Sequence, residues 1–183
     1  MSEFKRKKRT SFSKSETRER AEKKAPSWPA FDYGVWMLGR REYARQELAQ
    51  KMKLRGYEPT EIEQALDRLM ELGFQSDVRF TQSQVRSKSS RYGNRRLTQQ
   101  LTQHVDTHLV DEAMEGLDDE RTRTLALMSR FDSWDRTNPK QQDKMVRFLM
   151  SRGFSYHSFK PWLELWKKGH TQEEMIELAQ DMD

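Results

Sequence analysis

Apolar side chains recur along this chain at spacings of three, four and seven, and nowhere alternate with period two for long. Leu48 and Met52 are followed, past Gly56, by Ile62, Leu66, Leu69 and Met70. Leu97, Leu101, Val105 and Leu109 form a second series, and Met145, Phe148, Leu149 and Met150 a third. Spacing of this kind puts one apolar stripe on each helix and leaves no strand to predict. Gly56, Gly73, Gly116, Gly153 and Gly169 each stand where a stripe ends, the position at which a residue without a Cβ terminates a helix. The pattern predicts an all-α protein of short helices and tight turns.

Aligning those stops exposes an internal repeat. Glu47 to Met52 leads to Arg55-Gly56-Tyr57 and a helix carrying Ile62, Leu66 and Leu69. Lys144 to Leu149 leads likewise to Arg152-Gly153-Phe154 and a helix carrying Phe159, Leu163 and Trp166. Between them, Leu97 and Leu101 lead to Val105, Leu109 and Ala113, with a turn one residue shorter. Leu48, Leu97 and Met145 lie about 48 residues apart, a period typical of stacked helical units. Each unit has room for a leading helix, near 30–39, 77–90 and 118–131. The expected organisation is a tail over 1–26, three-helix units over 27–76, 77–117 and 118–168, and a closing helix over 169–183 that begins at Thr171. Units that bury little alone must share faces with their neighbours, which gives an elongated, curved molecule.

Composition sharpens this picture. Of the 183 residues, 34% are hydrophobic and 34% charged, so the core is thin for the length. No apolar run approaches the ~20 residues of a membrane span, and no apolar segment follows the N-terminal basic cluster as a secretory signal requires. Cysteine is absent, which removes disulfides, thiolate metal sites and cysteine nucleophiles together. A cytoplasmic monomer without cofactor is expected. Residues 1–24 hold ten Lys/Arg against four Asp/Glu, a net +6 that leaves the rest of the +5 chain near −1. With few large apolar side chains, this stretch reads as a disordered basic tail, in which Lys5, Arg6, Lys7, Lys8 and Arg9 are candidate nucleic-acid contacts. Pro26 and Pro29 bracket Trp28 and mark the entry to structure.

The order of several short motifs resembles the RecX family of bacterial recombinase regulators. These are Arg41, Glu47-Leu48, Lys51-Met52 and Arg55-Gly56-Tyr57; Leu72-Gly73-Phe74 with Asp77, Arg79 and Phe80; Tyr92-Gly93 with Arg95-Arg96-Leu97; and Arg147-Phe148-Leu149 with Arg152-Gly153-Phe154. The similarity spans about residues 35–166. It implies three tandem three-helix repeats in a cytoplasmic protein that lies along the groove of the RecA filament and modulates, mostly inhibits, its recombinase and ATPase activities. Three positions depart from the family pattern. Ala44 stands where a Ser would cap the following helix, an omission worth roughly 1 kcal/mol that should fray that helix. Asn94 replaces a Pro that would pre-set the first turn of a helix. His104 occupies the slot of a turn glycine.

Candidate partner contacts are basic. Residues 78–105 carry Arg79, Arg86, Lys88, Arg91, Arg95 and Arg96 with no acid, whereas 106–120 carry seven acids with no Lys or Arg. Spacing within the basic run predicts convergence on one corner, where the N-terminus of a helix adds backbone donors and should attract phosphates or carboxylates. Arg147 and Arg152 are further candidates, beside an aromatic stripe at 159, 162, 163 and 166 that reads as core rather than as a base-stacking surface. Asp77 reads as a helix cap and Phe80 as core.

Enzymatic readings find little support. His104, His108 and Glu112 share a spacing that would suit a metal, but a turn is expected at His104 and the pattern lacks the general base of a His-Glu-x-x-His helix. There is no phosphate loop and no nucleophile elbow. The sequence therefore points to a non-enzymatic binder. Its partner is either the RecA filament, as the resemblance implies, or DNA contacted directly by the tail and the basic corner, with an adaptor for another acidic partner as a third possibility.

Overall fold

The computed structural model describes residues 27–180, which form ten α-helices and no strand. The reading of residues 1–26 as a disordered tail lies outside the described residues. In chain order the helices are α1 (Ala30–Leu38), α2 (Arg45–Arg55), α3 (Pro59–Glu71), α4 (Asp77–Lys88), α5 (Asn94–Leu101), α6 (Thr107–Glu115), α7 (Glu120–Met128), α8 (Pro139–Ser151), α9 (Tyr156–Lys167) and α10 (Gln172–Gln180), with a 3-10 turn at Ser129–Phe131. None of the described helices is long and apolar enough to cross a membrane.

The helices gather in threes around separate hydrophobic clusters. Helix α3 packs on α1 and α2 over Tyr33, Leu48, Met52, Leu66 and Leu69, and α6 packs on α4 and α5 over Phe80, Val85, Leu101 and Val110. Helices α7 to α9 enclose Met128, Met145, Leu149, Phe159 and Trp166, and α10 closes this cluster with the buried Met175. The repeated positions Leu48, Leu97 and Met145 are all fully buried, as the period requires. The aromatic stripe of α9 is core: Phe159, Trp162, Leu163 and Trp166 are each at most 3% exposed. The middle cluster is the thinnest, and it recruits Ala44 from the first module.

Four of the five punctuating glycines, Gly56, Gly73, Gly153 and Gly169, take the left-handed conformation. Gly116 does not: its φ is −85°, so α6 ends without the left-handed residue its pattern predicts.

Two junctions join the modules, and both use one device. At the start of α2 the Ncap residue Ala44 offers no side-chain acceptor, yet the Arg45 N–H donates to the Asp77 carboxylate at 2.8 Å. Asp77 is the first residue of α4 and lies 32 positions along the chain. Helix α4 is capped by Ser76, whose hydroxyl accepts from the Arg79 N–H. The fraying expected from Ala44 is thereby corrected, because the missing acceptor is supplied through space. At the start of α5, Gly93 likewise has no side chain to cap with, and the Asn94 N–H donates at 2.6 Å to Glu120, the first residue of α7. A proline at 94 would have no N–H to give. The Asn94 side chain in turn accepts from Arg123.

Candidate partner-binding surface

The structure distributes the predicted basic residues among three environments instead of one corner. Arg79 is anchored at the first junction: its guanidinium pairs with Glu42 at 2.9 Å and donates to the carbonyls of Gly73 and Phe74. Arg96, Arg152 and Arg91 meet at the second junction. Arg96 donates to the Ser151 carbonyl at 2.9 Å, Arg152 donates to the Arg91 carbonyl, and both guanidiniums lie over the ring of Tyr92, at 4.7 and 5.8 Å. Arg86, Lys88 and Arg95 form the third group. No described residue offers their side chains a hydrogen bond or an ion pair, so their charges are available to a partner. Arg147 is exposed on α8 and reaches only the Asp143 carbonyl of its own helix.

The second junction also contains groups whose importance the sequence reading missed. Arg123 is 7% exposed and donates to the carbonyls of Asp118, Ser89 and Tyr92 as well as to Asn94. Burial pulls its guanidinium below the ordinary value, with Glu120, Asp119 and Asp118 opposing that shift. Glu120 bridges the N-termini of two helices, accepting from the Asn94 N–H and from the Ser155 N–H at 3.3 Å. The helix N-terminus predicted to attract an anion therefore does so, but the anion belongs to the same chain. The signal was present in the sequence as an acid-free basic run followed directly by a base-free acidic one.

Between the modules runs a polar trough. A cavity of about 500 Å³ is bordered by Arg41, Gln84, Lys88, Gln100, Gln103 and His104. A second, of about 540 Å³, continues it along Arg95, Arg96, Gln99 and Gln103 to Met150 and Ser151 at the end of α8. A third, of about 500 Å³, extends it past Gln103 and His104 to Arg45 and Gln46 of α2. The trough thus crosses from the first module to the third. Its lining is rich in carboxamides, which both donate and accept hydrogen bonds; Lys88 and Arg95 supply positive charge, and Glu63, Asp77 and Asp106 line the end against α2. Desolvation works against the charge of Arg41, but Glu47 at 2.6 Å more than offsets this and the pKa is raised. His104 lies edge-on to Phe80 in the floor, and its Nδ1 is buried without a partner among the described residues. His108 stands on α6, and no three metal-ligating side chains come together among the described residues.

Comparison with known proteins now bears on this arrangement. The RecX first three-helix domain matches residues 30–69, which here are α1 to α3. The chain is 40% identical over 129 residues to Regulatory protein RecX of Chromohalobacter salexigens, an alignment covering 68% of this chain and 84% of that protein. The chain belongs to the RecX family. Regulatory protein RecX of Vibrio parahaemolyticus is 33% identical over 73% of this chain and 89% of its own length. Two crystal structures share the fold at 19% identity. One, of regulatory protein RecX, has a TM-score of 0.63 over 72% of this chain and 69% of that chain. The other, RecX from Lactobacillus salivarius, has a TM-score of 0.60 over 74% and 95%. The RecX likeness extends beyond the first module, since these alignments are far longer than the 30–69 match.

Proposed function

We infer that this RecX-family chain is a non-enzymatic regulatory protein that binds the RecA nucleoprotein filament in the cytoplasm and modulates, chiefly inhibits, its recombinase and ATPase activities in DNA repair and recombination. The observation that carries this reading is the 40% identity to a protein named for regulation, over 84% of that relative's length. The trough supports it physically. A serial array with a continuous polar groove touches several subunits of a polymer at once and gains avidity from linked contacts. By favouring one filament state it shifts growth, loss and turnover together. Among the candidate contacts, Arg86, Lys88 and Arg95 are those whose charges no internal partner consumes, and Arg147 reaches only a carbonyl of its own helix. Arg79, Arg96 and Arg152 have structural duties at the junctions, so their loss would act through the shape of the trough.

The test is RecA assembled on single-stranded DNA, with filament length, strand exchange and ATP turnover followed against added protein. Inhibition is expected, and the triple reversal Arg86→Glu, Lys88→Glu, Arg95→Glu should weaken it at least tenfold while leaving the helical content intact. Unchanged RecA activities at saturating protein would overturn the reading. Direct DNA binding through Lys5, Arg6, Lys7, Lys8 and Arg9, which lie outside the described residues, is the alternative. It predicts that removing residues 1–24 abolishes regulation along with DNA affinity.

A further inference from the structure

The first module carries a feature that the RecA reading does not use. Asp32 and Trp36 share the solvent side of α1 a turn apart, Trp28 precedes the helix by two residues and Arg40 follows it by two, while Ala30, Tyr33 and Met37 face the core. Trp28 is 48% exposed and Trp36 41%, and large aromatic side chains left in water together are informative in a way that a lone exposed leucine is not. The rings form a platform. Trp28 meets Trp36 edge-on at 6.1 Å, and Trp36 stacks on Tyr33 at 5.8 Å. Arg40 lies 4.0 Å over Trp36, and Arg55 lies 4.9 Å over Tyr33. The backbone beneath Trp28 is fixed, because its carbonyl accepts from the Tyr57 hydroxyl at 2.9 Å.

Charge decides what such a platform fits. Neither Arg40 nor Arg55 is in an ion pair with a described residue, although Arg55 also contacts the Tyr57 hydroxyl, and Asp32 is the one acid on α1. The 24 residues of net charge +6 at the start of the sequence end four positions before Trp28. Half-exposed indoles, guanidiniums that rest on aromatic rings without a carboxylate partner, and a basic leader match a ligand that is itself flat-faced and polyanionic.

We propose that Trp28 and Trp36, with Arg40 and Arg55, form a binding site for single-stranded nucleic acid, in which Arg40 swings from the Trp36 ring to a phosphate, unpaired bases stack on the exposed indoles and Arg55 meets a further phosphate. Base stacking on aromatic side chains tolerates any sequence and needs no groove, so the site reads strandedness rather than sequence. A duplex, whose bases are already stacked inside, gains only the phosphate contacts. The site lies on α1 and the C-terminal end of α2, whereas the trough borders the N-terminal end of α2, and it stands or falls without the RecA reading.

The experiment uses the full chain, a 20-nucleotide oligo(dT) and a 20-base-pair duplex, with labelled-DNA anisotropy and intrinsic tryptophan fluorescence as readouts and no RecA present. Oligo(dT) should quench the tryptophan emission and bind more tightly than the duplex. Trp28→Ala with Trp36→Ala should weaken oligo(dT) binding about tenfold to a hundredfold per indole. The dependence on salt should stay unchanged, because counterion release counts phosphates and not bases. Trp28→Phe with Trp36→Phe should restore most of the affinity, which a merely structural effect of the alanines would not explain. Arg40→Glu should both weaken binding and flatten the salt dependence. Equal affinity for oligo(dT) in the alanine variant and the parent, equal binding of duplex and single strand, or no binding of oligo(dT) by the parent would each overturn the proposal. So would a variant that loses RecA binding alone, which would make the platform a protein contact.

Discussion

The two junctions of this molecule begin from the same carboxylate device and end at different stiffness. At the first, Asp77 caps α2, and Gln75 and Arg79 reach back to the Tyr43 carbonyl and Glu42. Among the described residues no backbone-to-backbone hydrogen bond crosses it, so it is held by side chains alone. At the second, the Gly93 N–H donates to the Arg152 carbonyl at 3.0 Å, and the backbones of Gly93 and Gly153 lie face to face. A Cβ on Gly93 would collide with the Gly153 carbonyl, and one on Gly153 would come within 2.6 Å of the Arg96 nitrogen. Buried Arg123 ties the same place together. A shared cap sets the angle at which modules meet, but only close backbone approach removes the freedom around it. The RecX trough therefore has one adjustable wall and one fixed wall.

Left-handed glycines give the sharpest way to break this comparison. Gly73 (φ +72°) has nothing within 4 Å of an added Cβ, whereas Gly153 (φ +86°) meets Arg96. Gly153→Ala should cost about 3–5 kcal/mol from strain plus overpacking, and Gly73→Ala about 1–2 kcal/mol from strain alone, measured by urea unfolding. Arg123→Met comes next. It leaves three carbonyls and the Asn94 amide oxygen without their donor, and an expected loss of about 2–4 kcal/mol would be read from the same unfolding curves. Removing the caps separates the junctions more finely. Glu120→Ala should destabilise by about 2 kcal/mol, because two N–H groups are freed, and Asp77→Ala by about 1 kcal/mol; amide exchange at Asn94, Ser155 and Arg45 would report each site directly. The smallest effect belongs to the exposed pair of Arg79 and Glu42, for which a double-mutant cycle should return a coupling of about 0.5 kcal/mol.

What the sequence made legible follows from how local each interaction is. The period of Leu48, Leu97 and Met145 needs only helical geometry and burial, and it yielded the architecture. The roles of Asp77 and Phe80 were also readable, although Asp77 caps a helix in the preceding module and not the one it begins. Ala44 could not be understood locally, because the acceptor that replaces its missing hydroxyl arrives from another module and its own methyl group is packed in the middle core. The basic run was half legible. Its charge was evident, but which arginines would turn inward to carbonyls depends on the ends of α4 and α8 meeting, and that meeting is set by two glycines 60 residues apart. Arg123 carried no signal of its own in the sequence, because the Ser89, Tyr92 and Asn94 acceptors around it lie about 30 positions away and only the fold assembles them.

The capping pattern has a consequence for how the chain comes into being. Helices α2 and α5 each lack an acceptor of their own, whereas α8 is sealed by Asn138, whose side chain accepts from the Lys140 N–H at 3.0 Å. As the polypeptide leaves the ribosome, α2 and α5 stay unfinished until a later segment delivers the missing oxygen, whereas α8 carries its own.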